Sequence, residues 1–193
     1  MKKTVRIIVA VGIGACLILG YYYYLNHRPV KGAQGEDDNT TEIESIIEAD
    51  LAEEYPKTPR AVVKFYNRIL TCYYNEECSE SELKSLAKQQ LNLMDEELKA
   101  NNPEDKFLKK LQLDIQDYKD KKRTISSSTV SGTDDVIYKT VDKRNCAYVT
   151  SSYFIKEDNS YDKTFQRYVL RKDEEGKWKI LVFYMIEGEE KDE

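Results

Sequence analysis

The chain starts with a long apolar run and then changes its hydrophobic period twice. Residues 7–25 are nineteen consecutive positions without an ionised side chain. As a helix that rises about 1.5 Å per residue, this run is roughly 28 Å long, close to the roughly 30 Å of a bilayer's hydrocarbon core. The run therefore predicts one membrane-spanning helix.

After residue 40, apolar residues recur at spacings of three and four, which is typical of amphipathic helices packed along one face. Start signals support the assignment, such as the capping box formed by Thr41 and Glu44 and the position of Pro59 directly after Thr58. We predict helices over residues 43–51, 59–74, 79–101 and 103–122.

Beyond Arg123 the apolar period changes from about 3.6 to 2, and Thr, Ser, Val, Ile and Tyr become frequent, which indicates strands. The separating segments are short and polar, so we expect an antiparallel meander. The predicted strands cover residues 124–131, 136–142, 146–156, 164–172 and 177–186. Three to four helices packed on one curved antiparallel sheet predict an α+β domain.

Charged residues beside the apolar run predict its orientation. Lys2, Lys3 and Arg6 precede the run and should stay in the cytoplasm. Tyr21–Tyr24 suit the far interface, where an aromatic ring enters the acyl boundary while its hydroxyl meets water. Residues from His27 onward are therefore expected on the extracytoplasmic side of the cell membrane.

Two other interpretations of the run stay open. A cleaved secretory signal needs a small-residue exit site, but this run continues past Ala15 and ends in bulky tyrosines. The stretch Ile13–Cys16 resembles a lipoprotein signal box, which would make Cys16 a lipid-modified amino terminus. Against lipidation, the residues that follow are Leu17–Leu19 rather than a polar linker.

Length and charge limit the number of domains and the partners. With about thirty of the 193 residues in the anchor, the remainder is the size of one ordinary domain. The formal net charge is -5, which argues against nucleic acid, because binding phosphates requires a basic surface. The predicted divisions are a cytoplasmic stub and anchor at 1–27, a flexible linker at 28–40, a folded domain at 41–188 and an acidic tail at 189–193.

Several common catalytic and metal-binding arrangements are missing from the predicted domain. The only histidine is His27, beside the membrane, so no histidine-dependent triad or metal site can form inside the domain. Glycine-rich phosphate loops are absent, and paired acidic residues fall in predicted turns or linkers. We predict no catalytic residue, metal or cofactor.

Three of the four cysteines follow the apolar run. Cys72 and Cys78 bracket the end of a predicted helix at a separation that a turn can close, so a local disulfide is predicted for an oxidising compartment. Cys146, on a predicted strand, is then expected to be a buried thiol.

The order of elements, with a Thr-Pro start to the helix at Pro59 and a closing Gly176–Ile180 segment of sequence Gly-Lys-Trp-Lys-Ile, resembles the nuclear transport factor 2-like cone fold of SnoaL-like and ketosteroid-isomerase-like proteins. The resemblance covers roughly residues 42–187. More narrowly, the anchor with the segments 55–59 and 62–66 resembles a family of membrane-anchored proteins of Gram-positive bacteria, which implies a location but no activity.

The cone resemblance implies a pocket between the helices and the concave face of the sheet. Combined with strand parity, it implies a lining of Tyr66, Tyr73, Tyr153, Tyr168, Trp178 and Tyr184. The plainer alternative is that these aromatic residues form the core. No Asp or Glu falls on the inward strand positions considered, which argues against acid–base catalysis.

The last strand is apolar on both faces, so we expect Leu181, Phe183 and Met185 to form a contact surface for a homodimer or an envelope protein. The leading hypothesis is a single-pass membrane protein whose extracytoplasmic domain is a non-catalytic binding or assembly module. The alternatives are an enzyme or ligand-binding protein that uses the concave pocket, and a purely structural spacer.

Overall fold

The computed structural model of the chain describes residues 40–188. The chain divides into two units between Asn39 and Thr40, and the second unit contains all of the described residues. None of the helices in this range has the length and apolar content needed to cross a bilayer. The predicted stub and anchor, nearly all of the linker, and the acidic tail lie outside the described residues.

Within the part of the chain that the structure describes, five helices precede the sheet, and the starts at Glu42, Pro59 and Glu80 follow capping residues that the sequence shows. Thr41 and Ser79 form complete capping boxes with Glu44 and Glu82, which satisfies amide groups that a helix start leaves unpaired. The helices are α1 Glu42–Ile47, α2 Pro59–Asn75, α3 Glu80–Asn92, α4 Glu96–Asn101 and α5 Glu104–Asp120.

The helix predicted over residues 79–101 is two helices, because the backbone between them pairs with the last strand. Ile180 donates its amide to the carbonyl oxygen of Leu93 at 2.8 Å, and Asp95 donates its amide to the carbonyl oxygen of Ile180 at 2.8 Å. Asp95 then caps α4 by accepting the amide of Glu97 at 3.0 Å. The first predicted helix is also shorter than expected and ends at Ile47.

The sheet is antiparallel, but it is not a simple meander. Its strands are β1 Arg123–Val130, β2 Ile137–Val141, β3 Arg144–Glu157, β4 Ser160–Lys172 and β5 Trp178–Ile186. The hydrogen-bonded order is β1-β3-β4-β5, and β2 also pairs with β3. β1 and β2 therefore lie one after the other along the same edge of β3, because β4 takes its other edge.

The β3–β4 hairpin is longer than the sequence predicted. Pairing continues to Glu157 and Ser160, next to a tight turn in which Asp158 has a φ of 50°. β4 therefore begins at Ser160 rather than near Thr164. The extension carries additional inward-facing positions towards the end of the sheet.

An extra residue interrupts β5. Leu170 pairs with Ile180, but its neighbour Val169 pairs with Val182, so Leu181 is unpaired in a β-bulge. A bulge shifts the two-residue alternation by one position, so side chains beyond it exchange faces.

The helices cover one face of the sheet, and α2 packs against β1, β3 and β5. The domain is therefore α+β, as the change of hydrophobic period predicted. The core draws its fully buried side chains from both layers. They include Val62, Ile69, Tyr73 and Leu86 of the helices and Val149, Tyr168, Leu170 and Ile180 of the strands.

Candidate functional site

A cavity of about 480 Å³ lies between the helices and the sheet. Its walls come from α2, α3, α4 and α5 on one side and from β1, β3, β4 and β5 on the other. The volume falls within the roughly 300–1,000 Å³ that is usual for small-molecule sites. The cavity is the candidate site.

Two of the six predicted pocket residues line this cavity, Tyr66 and Tyr153. Both side chains are almost completely buried. Tyr168 is not among the lining residues, but it contacts both: its ring centroid lies 5.5 Å from that of Tyr66, and its hydroxyl oxygen lies 2.6 Å from that of Tyr153.

The other three predicted residues lie elsewhere. Tyr73 and Trp178 are buried in the core, and Tyr184 is 44% exposed and outside the cavity. In place of Tyr184, the cavity takes Phe183 and Met185 from β5. The bulge is the reason, because it reverses the faces of the strand beyond Ile180.

This reversal also relocates most of the predicted contact surface. Phe183 lies opposite Tyr168 in the sheet and faces the helices, with ring centroids 5.9 Å from Tyr66 and 5.7 Å from Tyr168. Met185 lines the cavity while remaining largely exposed, and Leu181 occupies the bulge. Most of the predicted contact residues are therefore part of the cavity wall rather than of the outer sheet face.

The cavity wall is mostly apolar on the helical side. The apolar lining residues contributed by the helices and their connections are Leu70, Met94, Leu98, Phe107 and Leu111. Such a surface favours the apolar part of a ligand over water.

A chain of neutral hydrogen bonds backs the sheet side. Tyr153 donates its hydroxyl to Oδ1 of Asn67 at 2.6 Å, and Asn67 donates Nδ2 to Oγ of Ser151 at 2.8 Å. Tyr168 donates to Oε1 of Gln166 at 2.7 Å. Burial raises the pKa of Tyr153 to about 12, so its phenol stays protonated at neutral pH and serves as a hydrogen-bond donor rather than a base.

A second polar pair, Tyr66 and Gln90, lies in the cavity wall on α2 and α3. Gln90 donates Nε2 to the hydroxyl oxygen of Tyr66 at 2.8 Å, and burial raises the pKa of that phenol. Gln90 Oε1 is fully buried and has no partner within residues 40–188. The sequence contained a signal for this residue, because Gln90 interrupts the apolar face that runs through Leu83 and Leu86.

Charged residues lie at the exposed part of the cavity. Arg123 donates Nε to Glu157 at 2.6 Å, and both side chains are partly exposed. Lys110, Asp114 and Asp162 also line the cavity and are exposed. The sequence analysis missed Glu157 and Asp162 because it ended β3 at residue 156 and began β4 at residue 164, which placed both carboxylates in the connection between the strands.

A sequence profile of one protein family matches residues 1–183, nearly the whole chain. The chain belongs to the DUF6715 family, a domain of unknown function. The DUF6715 match includes every described helix and the strands through Phe183 of the cavity wall. A comparison with curated proteins gave no match.

The described cysteines of this DUF6715 chain, Cys72, Cys78 and Cys146, are free thiols. Cys72 is fully buried, and burial raises the pKa of its thiol to about 12. Cys78 is partly buried, with its Sγ 3.8 Å from the carbonyl oxygen of Cys72. The predicted local disulfide is therefore not formed in the structure, whereas Cys146 is the buried thiol that we expected.

In the described part of this DUF6715 chain, cysteine and carboxylate groups are not clustered as metal ligands are. Within residues 40–188, no group of three or more such side chains is arranged to hold a metal ion. The site can bury an apolar molecule, donate hydrogen bonds from neutral phenols and accept them at an amide oxygen.

Proposed function

We propose that the chain is a membrane-anchored, extracytoplasmic module that binds a small, mainly apolar molecule in the cavity without transforming it. The observation that carries the proposal is a cavity of about 480 Å³ with an apolar helical wall and neutral polar groups. This combination matches the usual design of small-molecule sites, in which apolar surface provides affinity and a few polar groups provide orientation.

The proposed fold is a nuclear transport factor 2-like cone. Three features support the resemblance: helices on one face of the sheet, a long central hairpin, and bulges in both β1 and β5. The membrane anchor at residues 7–25 and the relationship to membrane-anchored proteins of Gram-positive bacteria are part of the proposal and are supported by the sequence pattern alone.

Binding is preferred over catalysis because the ionisable groups of the cavity are poorly placed for proton transfer. The buried phenols have raised pKa values and stay neutral, while the carboxylates of Asp114 and Asp162 lie at exposed positions. Glu157 is paired with Arg123. A general base must lie within hydrogen-bond reach of the proton that it takes, so a molecule held against Tyr66 lacks a suitable partner.

The contact with a second copy of the chain or with an envelope protein stays a prediction, but the residues proposed for it change. Phe183 and Met185 serve the cavity wall. The exposed apolar side chains that β3 and β5 present on the opposite face are Phe154, Val182 and Tyr184.

The binding proposal predicts that a bulky side chain in the cavity blocks a ligand. We expect Leu98→Trp to weaken binding of a fluorinated phenylalkane by about tenfold or more, because the indole occupies cavity volume. The measurement is fluorine NMR titration of the full-length chain in lipid bicelles, with chain-free bicelles as the blank.

Leu113→Trp is the matched control, since Leu113 is 71% exposed on α5 and does not line the cavity. Its binding should equal that of the wild type. The proposal is wrong if the wild-type chain retains no more probe than the blank, or if both tryptophan variants bind as the wild type does.

A further inference from the structure

The Tyr66–Gln90 pair has hydrogen-bonding capacity that the protein does not use. Each residue is only 3% exposed, and both line the cavity. Gln90 Oε1 is buried without a partner in the described range, so a ligand reaches it when the amide turns towards the cavity, and the hydroxyl of Tyr66 makes one hydrogen bond in that range, which its oxygen accepts from Gln90. Buried polar groups are nearly always satisfied, so an unpaired acceptor in a cavity wall indicates a missing partner.

The unused capacity includes one donor and one acceptor, whichever way the amide of Gln90 is turned. As oriented, the phenolic hydrogen of Tyr66 and the Oε1 atom of Gln90 are free. If the amide is reversed, Tyr66 donates to Oε1, and the free groups become Nε2 hydrogens and a phenol lone pair. A complementary ligand group must therefore both donate and accept.

The surroundings of the pair favour a neutral ligand group. Tyr66 packs against the rings of Phe183 and Tyr168, and Met94 of the same cavity is 2% exposed. Every charged side chain that lines the cavity lies at an exposed or partly exposed position, and two of them, Arg123 and Glu157, form an ion pair. An ionised group beside Tyr66 would lose its hydration without gaining a buried counter-charge.

We propose that the ligand is a mainly apolar, uncharged molecule that carries one alcohol or primary carboxamide group, and that this group enters the cavity first to donate to Gln90 and accept from Tyr66. The inference rests on the proposed binding function and adds the chemical class of the ligand and its orientation. The apolar body then lies along the helical wall, towards the exposed Met185.

The test compares a fluorinated phenylalkyl alcohol with its methyl ether and with the matching hydrocarbon. All three are titrated into the full-length chain in lipid bicelles by fluorine NMR, with chain-free bicelles subtracted. We expect the wild-type chain to bind the alcohol about tenfold more tightly than the ether, because the ether cannot donate to the unpaired amide oxygen.

The variants assign this preference to the pair. Gln90→Met keeps an unbranched side chain of similar size, and Tyr66→Phe removes only a hydroxyl, so each should abolish the alcohol preference, measured within each variant as the ratio of its alcohol affinity to its ether affinity. Gln112→Met and Tyr161→Phe, which change exposed residues outside the cavity, should keep the preference.

The outcomes separate this inference from the binding function. If all three probes bind equally well, or if Gln90→Met and Tyr66→Phe retain the alcohol preference, the pair is satisfied by water and the inference is overturned while the binding function stands. If no probe binds above the blank, both fail. The comparison of probes on the wild-type chain needs no variant, so a variant that does not fold leaves the test intact.

Discussion

The two halves of β5 belong to the same strand but have different surroundings. Trp178 and Ile180 are buried, and Ile180 lies opposite Leu170 of β4 while its amide and carbonyl groups are hydrogen-bonded to the segment Leu93–Asp95. Beyond the bulge, Phe183 and Met185 are 37% and 65% exposed and line the cavity. One strand therefore completes the core and then forms a wall of the site.

The bulge at Leu181 is what separates these two roles. A regular strand would continue the burial of Ile180 through Val182, leaving Phe183 on the outer face. The extra residue turns Phe183 towards Tyr66 instead. Bulges next to binding sites commonly re-aim side chains in this way, and here one changes the chemistry of the cavity wall.

The largest difference between the two halves should appear in stability. Ile180→Ala removes a fully buried side chain from the core and should lower the free energy of unfolding by about 3 kcal/mol. Val182→Ala, on the other side of the bulge and 42% exposed, should cost less than about 1 kcal/mol. The single tryptophan, Trp178, provides a buried fluorescence signal for urea unfolding of the chain in bicelles.

Equal costs for these two substitutions would contradict the contrast, since they would mean that the strand is equally packed on both sides of the bulge. A cost at Val182 above that at Ile180 would contradict the register itself.

The ion pair beside the buried half of β5 should have the next largest effect on stability. Arg171 binds the carboxylate of Asp95 through two nitrogens, at 2.6 and 3.0 Å, and both side chains are mostly buried. Asp95→Asn removes the buried carboxylate and leaves the guanidinium with the exposed carboxylate of Glu97, at 2.9 Å. The substitution should cost about 2 kcal/mol, less than for a fully buried pair, because Glu97 remains and part of Arg171 reaches solvent. Glu80→Gln, which breaks an exposed ion pair with Lys84, is the control and should have little effect.

The same pair predicts a pH dependence. Burial opposes ionisation of Asp95, but hydrogen bonds from Arg171 and the amide of Glu97 outweigh it, and the pKa lies below its ordinary value of 3.8. Because the pKa of Asp95 is lower in the folded than in the unfolded chain, its ionisation stabilises the folded state at pH values above the unfolded-state pKa. This stabilisation is lost as the pH falls below about 3.8. Urea unfolding across that window should show a smaller pH dependence for Asp95→Asn than for the wild type.

The sequence predicted the elements better than the site because the two depend on different information. Hydrophobic period and capping residues are local, so the capping boxes of α1 and α3 and the α+β order could be recognised. The division between α3 and α4 depends on hydrogen bonds from Ile180, which is far along the chain from Leu93. No local pattern contains that information.

The cavity residues illustrate the same limit. Tyr66 and Tyr153 could be predicted because they lie on α2 and β3, where the bulge in β5 does not change the face of a side chain. Tyr184 was placed in the pocket and Phe183 on the contact surface because the two-residue alternation was counted across the bulge. Gln90 was detectable in principle, because a polar residue on an apolar helix face requires an explanation. Only the structure shows that its partner is Tyr66 and that one of its atoms has none.

At two adjacent residues in the second half of β5, a small effect on stability should accompany a measurable effect on binding. Phe183→Ala should cost about 1 kcal/mol of stability, because Phe183 is partly exposed, yet weaken the fluorinated phenylalkane about fivefold through lost contact with the cavity. Tyr184→Ala should bind the probe as the wild type does, since Tyr184 lies outside the cavity. The reverse result, with Tyr184→Ala impaired and Phe183→Ala normal in fluorine NMR titrations, would mean that β5 has no bulge and that the simple alternation of the sequence is correct.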